Sequence, residues 1–206
     1  MNDNQLQGKL TIFTVGHSNH SLEVFINLLQ SHKIEVLVDV RSKPFSRFSP
    51  QFNKGGFEKA LKASGIKYLF LGRELGGRPQ GSKFYDNQGF VLYSRIAESP
   101  LFLEGIDRLI KGIKNYRVAV MCSEENPANC HRQLLVGRVL AKRGVSVRHI
   151  RGDGTVQDED ELAQEAYQSK GEQAQLSFFE PKEEVPEWKS TQSVLPRKKL
   201  DSSSAH

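Results

Sequence analysis

Five short runs of apolar and β-branched residues recur between Leu10 and Ile150, separated mainly by helical stretches, and this alternation restricts the fold more than any other feature. Leu10–Val15 halts at Gly16, and Ile34–Val40 is apolar apart from Glu35 and Asp39. Ile66–Leu71, Arg117–Met121 and Val145–Ile150 complete the set. All five read as strands, Ile34–Val40 as a buried one. Between them, Ser21 is placed to cap a helix from Leu22 that carries Val24, Phe25, Leu28 and Leu29 on one side. Phe57–Ala63 predicts a short helix stopped by Gly65, Leu101–Lys114 a longer one, and Cys130–Arg143 one that ends at Gly144. A polar helix is expected over Asp158–Ser169. Strands that alternate with helices predict a mostly parallel sheet with helices on both faces, a three-layer α/β/α fold of the Rossmann-like kind. Residues 1–170 are expected to form one such domain.

From Gly171 the chain loses periodicity and becomes rich in Glu, Lys, Pro and Ser. Such a composition cannot bury enough apolar surface to order itself, so 171–206 is expected to be a disordered tail. Inside it, Gln175-Leu176-Ser177-Phe178-Phe179 is similar to the short peptides with which bacterial proteins dock on the DNA sliding clamp. A polar lead with aromatic anchors on a flexible tail suits a preformed groove. The tail holds five basic and six acidic side chains, so of the net charge of +5 the rest of the chain carries +6. A basic domain suits a phosphate-bearing ligand, a nucleotide or a nucleic acid.

No window approaches the length needed to span a bilayer, and no membrane partner is expected. Met1–Lys9 lacks the apolar core of a secretory signal. With only two cysteines, a reducing, cytoplasmic setting with free thiols is the expectation.

Ligands of open parallel sheets bind beyond the carboxyl ends of the strands. The polar residues of this chain gather after those ends. His17 and Ser18 follow the first strand, and Asp39, Arg41 and Arg47 end or follow the second. Gly76-Gly77 follows the third, while Cys122, Glu124, Cys130, His131 and Arg132 follow the fourth. A thiol near a helix N-terminus and arginines has a lowered pKa, which makes Cys122 a candidate nucleophile with Cys130 as its neighbour. His131 or His17 would move protons. Arg41, Arg47 and Arg132 carry planar forks suited to phosphate oxygens, Ser18 could donate to an anion, and Asp39 could orient His17 or Arg132. The alternative is that Asp39, Glu124 or Glu125 neutralises these arginines internally. Cys122, Cys130, His131 and His17 offer zinc-type donors, but their spacing is not that of a zinc finger. Adjacent Cys130 and His131 on a helix would also diverge, so no metal is assigned. Gly76-Gly77 is not a dinucleotide fingerprint, and no cofactor is assigned. Phe45, Phe48, Phe52, Phe57, Tyr85 and Tyr93 stand among basic residues and could stack nucleobases, with packing beneath the loops as the plainer account.

Four blocks resemble one family. Thr14-Val15-Gly16-His17-Ser18, Asp39-Val40-Arg41-Ser42-Lys43-Pro44-Phe45-Ser46-Arg47, Leu75-Gly76-Gly77 and the stretch from Met121 to Arg132 resemble the signature blocks of the domain of unknown function 488 family, over roughly Thr11–Ile150. The resemblance implies a three-layer α/β fold and little about activity. The residues themselves point to a thiol-dependent hydrolase or transferase acting on a phosphate-bearing substrate. A non-catalytic nucleic-acid module recruited to replication or repair by the tail is the alternative.

Overall fold

A computed structural model describes residues 9–162, 164 and 187–194. β1 (Thr11–Gly16) leads through the loop to α1 (Leu22–Ser31), whose N-cap Ser21 accepts the Val24 N–H as expected. β2 (Val36–Asp39), α2 (Lys54–Ala63) and β3 (Lys67–Phe70) follow. Three helices come next: α3 (Gly72–Leu75), α4 (Tyr93–Ala97) and α5 (Pro100–Ile113). β4 (Val118–Cys122) precedes a π-helical segment, Arg132–Gly137, that runs into α6 (Arg138–Lys142). β5 (Ser146–Ile150) and β6 (Val156–Asp158) close the sheet. Gly65 and Gly144 take the left-handed conformation (φ 78° and 82°) just beyond α2 and α6, where a side chain would be strained.

The sheet order is β3-β2-β4-β1-β5-β6, with only β6 antiparallel to its neighbour. Two apolar cores lie on its opposite faces. One joins Val38, Val120 and Val147 to Phe102, Ile106 and Leu109 of α5. The other joins Phe13, Leu37 and Met121 to Phe25 and Leu29 of α1 and Phe57 and Leu61 of α2. The fold is therefore the expected three-layer α/β arrangement. β4 inserts between β1 and β2, which departs from the usual dinucleotide fold, where those two are neighbours. That insertion brings Cys122 to the middle of the sheet. Among the described residues no helix is long and apolar enough to cross a membrane.

The sequence expectations for the C-terminal part need correction at one place. Residues 187–194, inside the segment expected to lack order, pack on the domain. Lys189 bridges to Leu92, the Ser190 N–H donates to the Val91 carbonyl (2.8 Å), and the Trp188 Nε1–H donates to the Leu134 carbonyl (2.8 Å). Trp188 also lies edge-on to Tyr93 and beneath the Arg138 guanidinium. With the Lys142 ammonium also over its ring, this aromatic anchor offsets the polar composition around it. The clamp-like residues Gln175, Leu176, Phe178 and Phe179 lie outside the described residues.

Candidate active site

Strand register assembles the site. Gly16 pairs with Cys122 across β1 and β4, and Asp39 pairs with Met121 across β2 and β4. The three strand ends therefore lie side by side. The ladder continues past them, since the His17 N–H donates to the Cys122 carbonyl (3.0 Å) and the Val40 N–H to the Met121 carbonyl (3.1 Å). Gly16 is obligatory here because a Cβ would fall 1.8 Å from the Glu124 carbonyl oxygen.

Arg132 holds the β4 loop from below. Its side chain is fully buried (0% exposed). The guanidinium donates to the carbonyls of Glu124 and Glu125 and, through Nε, to Thr14 Oγ1 (3.2 Å). Glu125 in turn binds Arg151 by two oxygens at 2.9 and 3.0 Å and accepts the Gly152 N–H, and these cations and donors hold its carboxyl below the usual carboxylate range despite partial burial.

Arg41 is equally committed. Its Nη2 donates to Asp39 Oδ2 (2.7 Å) and to the Phe52 carbonyl (2.8 Å), and its Nε to Asp39 Oδ1 (3.0 Å). Tyr68 adds a hydroxyl donor to Asp39 at 2.7 Å, and burial together with that carboxylate pushes its phenol well above the ordinary value. Arg41 Nη1 reaches His17 Nε2 (3.3 Å), while His17 Nδ1 faces the Ser18 carbonyl (2.9 Å). That pattern fixes the neutral tautomer with the proton on Nδ1. Burial first, and the Arg41 charge next, lower the His17 pKa to about 4. Ser18 sits at φ 47°, with its hydroxyl turned to Asn19 (3.4 Å).

The expected three-arginine anion cradle is thus overturned. Arg41 is paired with the Asp39 carboxylate, as the sequence alternative allowed, and with His17, whereas Arg132 is spent on two backbone carbonyls and Thr14 Oγ1. Only Arg47 of the three is exposed, and it makes no hydrogen bond or ion pair among the described residues.

Four other candidates do converge. Cys122 Sγ and Cys130 Sγ lie 3.0 and 3.1 Å from Glu124 Oε2, and 3.6 and 4.0 Å from His131 Nδ1. The two sulfurs and Nδ1 all fall within 4.8 Å of one another. Both cysteines are buried and free of disulfide. The sequence argument that Cys130 and His131 must diverge assumed a helix at both positions. Cys130 instead caps a 3-10 turn, Pro127–Asn129, in extended conformation (φ −120°, ψ 138°), and the helical turn begins only after it. The two side chains therefore point to one spot. His131 Nε2 lies 3.1 Å from the Val40 carbonyl, a donor's position, which leaves the Nδ1 lone pair facing the sulfurs. Gly77 makes room for this ring, since a Cβ there would come within 2.7 Å of it.

The proton economy of the pair is shared. Burial opposes ionisation of Cys130, but contact with Cys122 and His131 outweighs it and draws the Cys130 thiol well below its ordinary value. Cys122 is pushed up by that same contact and by burial. Burial would lower His131, yet the adjoining Cys130 sulfur and Glu124 raise it. Such a group can serve as a thiolate–imidazolium pair or present soft donors to a cation. Thr14, Arg151, Tyr68 and the Val40 carbonyl escaped the sequence reading because each contributes through a partner distant in the chain.

The family model for domain of unknown function DUF488 matches residues 21–139, more than half of the chain. The chain belongs to the DUF488 family. The match includes the Asp39–Arg47 block and the Met121–Arg132 block of this DUF488 domain, whereas Thr14–Ser18 precedes it. No match is found among curated proteins or among solved structures.

Proposed function

We propose that the protein is an enzyme acting on nucleic acid, with Cys122, Glu124, Cys130 and His131 as its reaction centre and the loop after β2 as its substrate platform. The observation that carries this reading is the state of that loop. Phe45 is 68% exposed and Phe48 93% exposed, and Lys43 and Arg47 beside them are also exposed. Leaving a phenylalanine in water forgoes about 2 kcal/mol of burial, and Phe52 and Phe57 just beyond are fully buried. Packing beneath the loop therefore accounts for Phe52 and Phe57 but not for Phe45 and Phe48. Stacking on a nucleobase returns about 1–3 kcal/mol per base, and interleaved cations meet the phosphates.

Arg78 adds a further exposed cation, because its backbone N–H donates to Ser42 Oγ (2.9 Å) at the root of the loop. Phosphate contacts thus fall to Lys43, Arg47 and Arg78 in place of Arg41 and Arg132. The loop and the thiol cluster share an origin. His131 is hydrogen-bonded to Val40, two residues before Ser42, so the root of the platform loop adjoins the cluster.

Fluorescence anisotropy of the full chain with a labelled single-stranded oligonucleotide tests the reading. Affinity should fall steeply as salt rises, and Phe48→Ala should weaken binding tenfold or more without lowering stability. Cys130→Ala should keep binding and lose turnover of the oligonucleotide. Binding that ignores both salt and Phe48→Ala would refute the platform.

A further inference from the structure

We propose that Cys122, Cys130, His131 and Glu124 together bind one zinc-like divalent cation. The proposal deepens the functional reading by naming the cofactor of the reaction centre, and it rests on that reading only for its catalytic meaning. Bonds of about 2.3 Å to sulfur and about 2.0 Å to nitrogen at a tetrahedral ion place S···N pairs about 3.5 Å apart. The observed separations are 3.6 and 4.0 Å. Glu124 Oε2 lies 3.0 and 3.1 Å from the two sulfurs, outside the close set that they form with His131 Nδ1, and a rotation of its side chain would bring it in as the fourth ligand of a tetrahedral ion.

The surroundings match a ligand set better than a nucleophile. Cys130 is 1% exposed and Cys122 4% exposed, so an electrophilic substrate atom has little access to either sulfur. The Val40 carbonyl on His131 Nε2 is the orienting contact that metal-bound imidazoles generally have. The Arg132 fork fixes the backbone of Glu124 next to the sulfurs. Two sulfurs and an imidazole select a borderline-soft ion such as zinc over magnesium or calcium. The carboxylate is the hardest of the four donors, and it is the one that a substrate oxygen could replace.

The full chain, purified without chelator under reducing conditions, should carry about one zinc per chain by elemental analysis. Cobalt substitution should give tetrahedral visible bands together with a thiolate-to-cobalt charge-transfer band. Cys122→Ser and Cys130→Ser should each weaken or abolish that band, His131→Ala should lose metal, and Glu124→Gln should keep the band with affinity lowered tenfold or more. A wild-type chain that is folded by circular dichroism yet takes up neither zinc nor cobalt overturns the proposal, even where the variants fail to fold. A cobalt spectrum without thiolate charge transfer also overturns it. Oligonucleotide binding measured on the same samples separates the two ideas. Metal without nucleic-acid binding sinks only the proposed function, and binding without metal sinks only the metal site.

Discussion

Replacing Arg132 by Met tests whether the buried guanidinium is the structural key to the site. The side chain is fully enclosed and donates to two backbone carbonyls and one hydroxyl. Methionine fills comparable space with no donor. It would orphan the carbonyls of Glu124 and Glu125, at about 1–3 kcal/mol each, and break the contact to Thr14 for about 1 kcal/mol. Against this, the variant no longer has to bury a cation, which offsets part of the loss. The net expectation is destabilisation by about 3 kcal/mol. Urea unfolding followed by circular dichroism reads it directly. Even at a steep slope of about 3 kcal/mol per molar, the midpoint should fall by about 1 M. Arg132→Lys discriminates the fork from its charge: a point charge serves one carbonyl at a time, so most of the loss should remain. A midpoint within about 0.3 M of wild type for Arg132→Met, or full recovery with Lys, would show that the fork does not hold this loop.

Three further outcomes follow from other contacts. Gly16→Ala drives a Cβ into the Glu124 carbonyl that Arg132 grips, so it should destabilise strongly, and its effect combined with Arg132→Met should be clearly less than additive in urea unfolding. His17 has its folded pKa lowered from 6.5 to about 4, which means the unfolded chain takes up the proton first. The stability present above pH 6.5 should therefore decline as pH falls toward 4, by about 3 kcal/mol in all. His17→Gln should flatten that stretch of the urea-midpoint profile, and parallel profiles would count against it. Trp188→Ala removes the anchor of 187–194 and should cost about 2 kcal/mol. It should also speed tryptic cleavage after Lys189, and an unchanged digestion rate would mean that the segment is held by other contacts.

The strands were legible because burial on both faces erases polar alternation, which leaves runs such as Leu10–Val15 and Ile34–Val40 that only a covered sheet accommodates. The site was legible to the same depth. Parallel strands deliver their following loops to one edge, so Cys122, His131 and Glu124 could be grouped before any distance was known. Pairing was not legible, because a sequence records charges and not partners. Asp39 and Arg41 are two residues apart, and nothing in that spacing says that Arg41 folds back to them while Arg47 stays in water. The aromatics make the same point, since Phe45, Phe48, Phe52 and Phe57 look alike in a loop without periodicity, yet two are buried and two are exposed. Cys130 shows where a local assumption had the largest effect. Reading it as the first residue of a helix separated it from His131, whereas the proline-led turn before it delays the helix by two residues and turns both side chains inward. A backbone angle at one residue, invisible to periodicity, thus decides between a scattered set of donors and a candidate metal centre. This is why the cobalt spectrum of the intact chain is a sharper probe of this loop than any further reading of its composition.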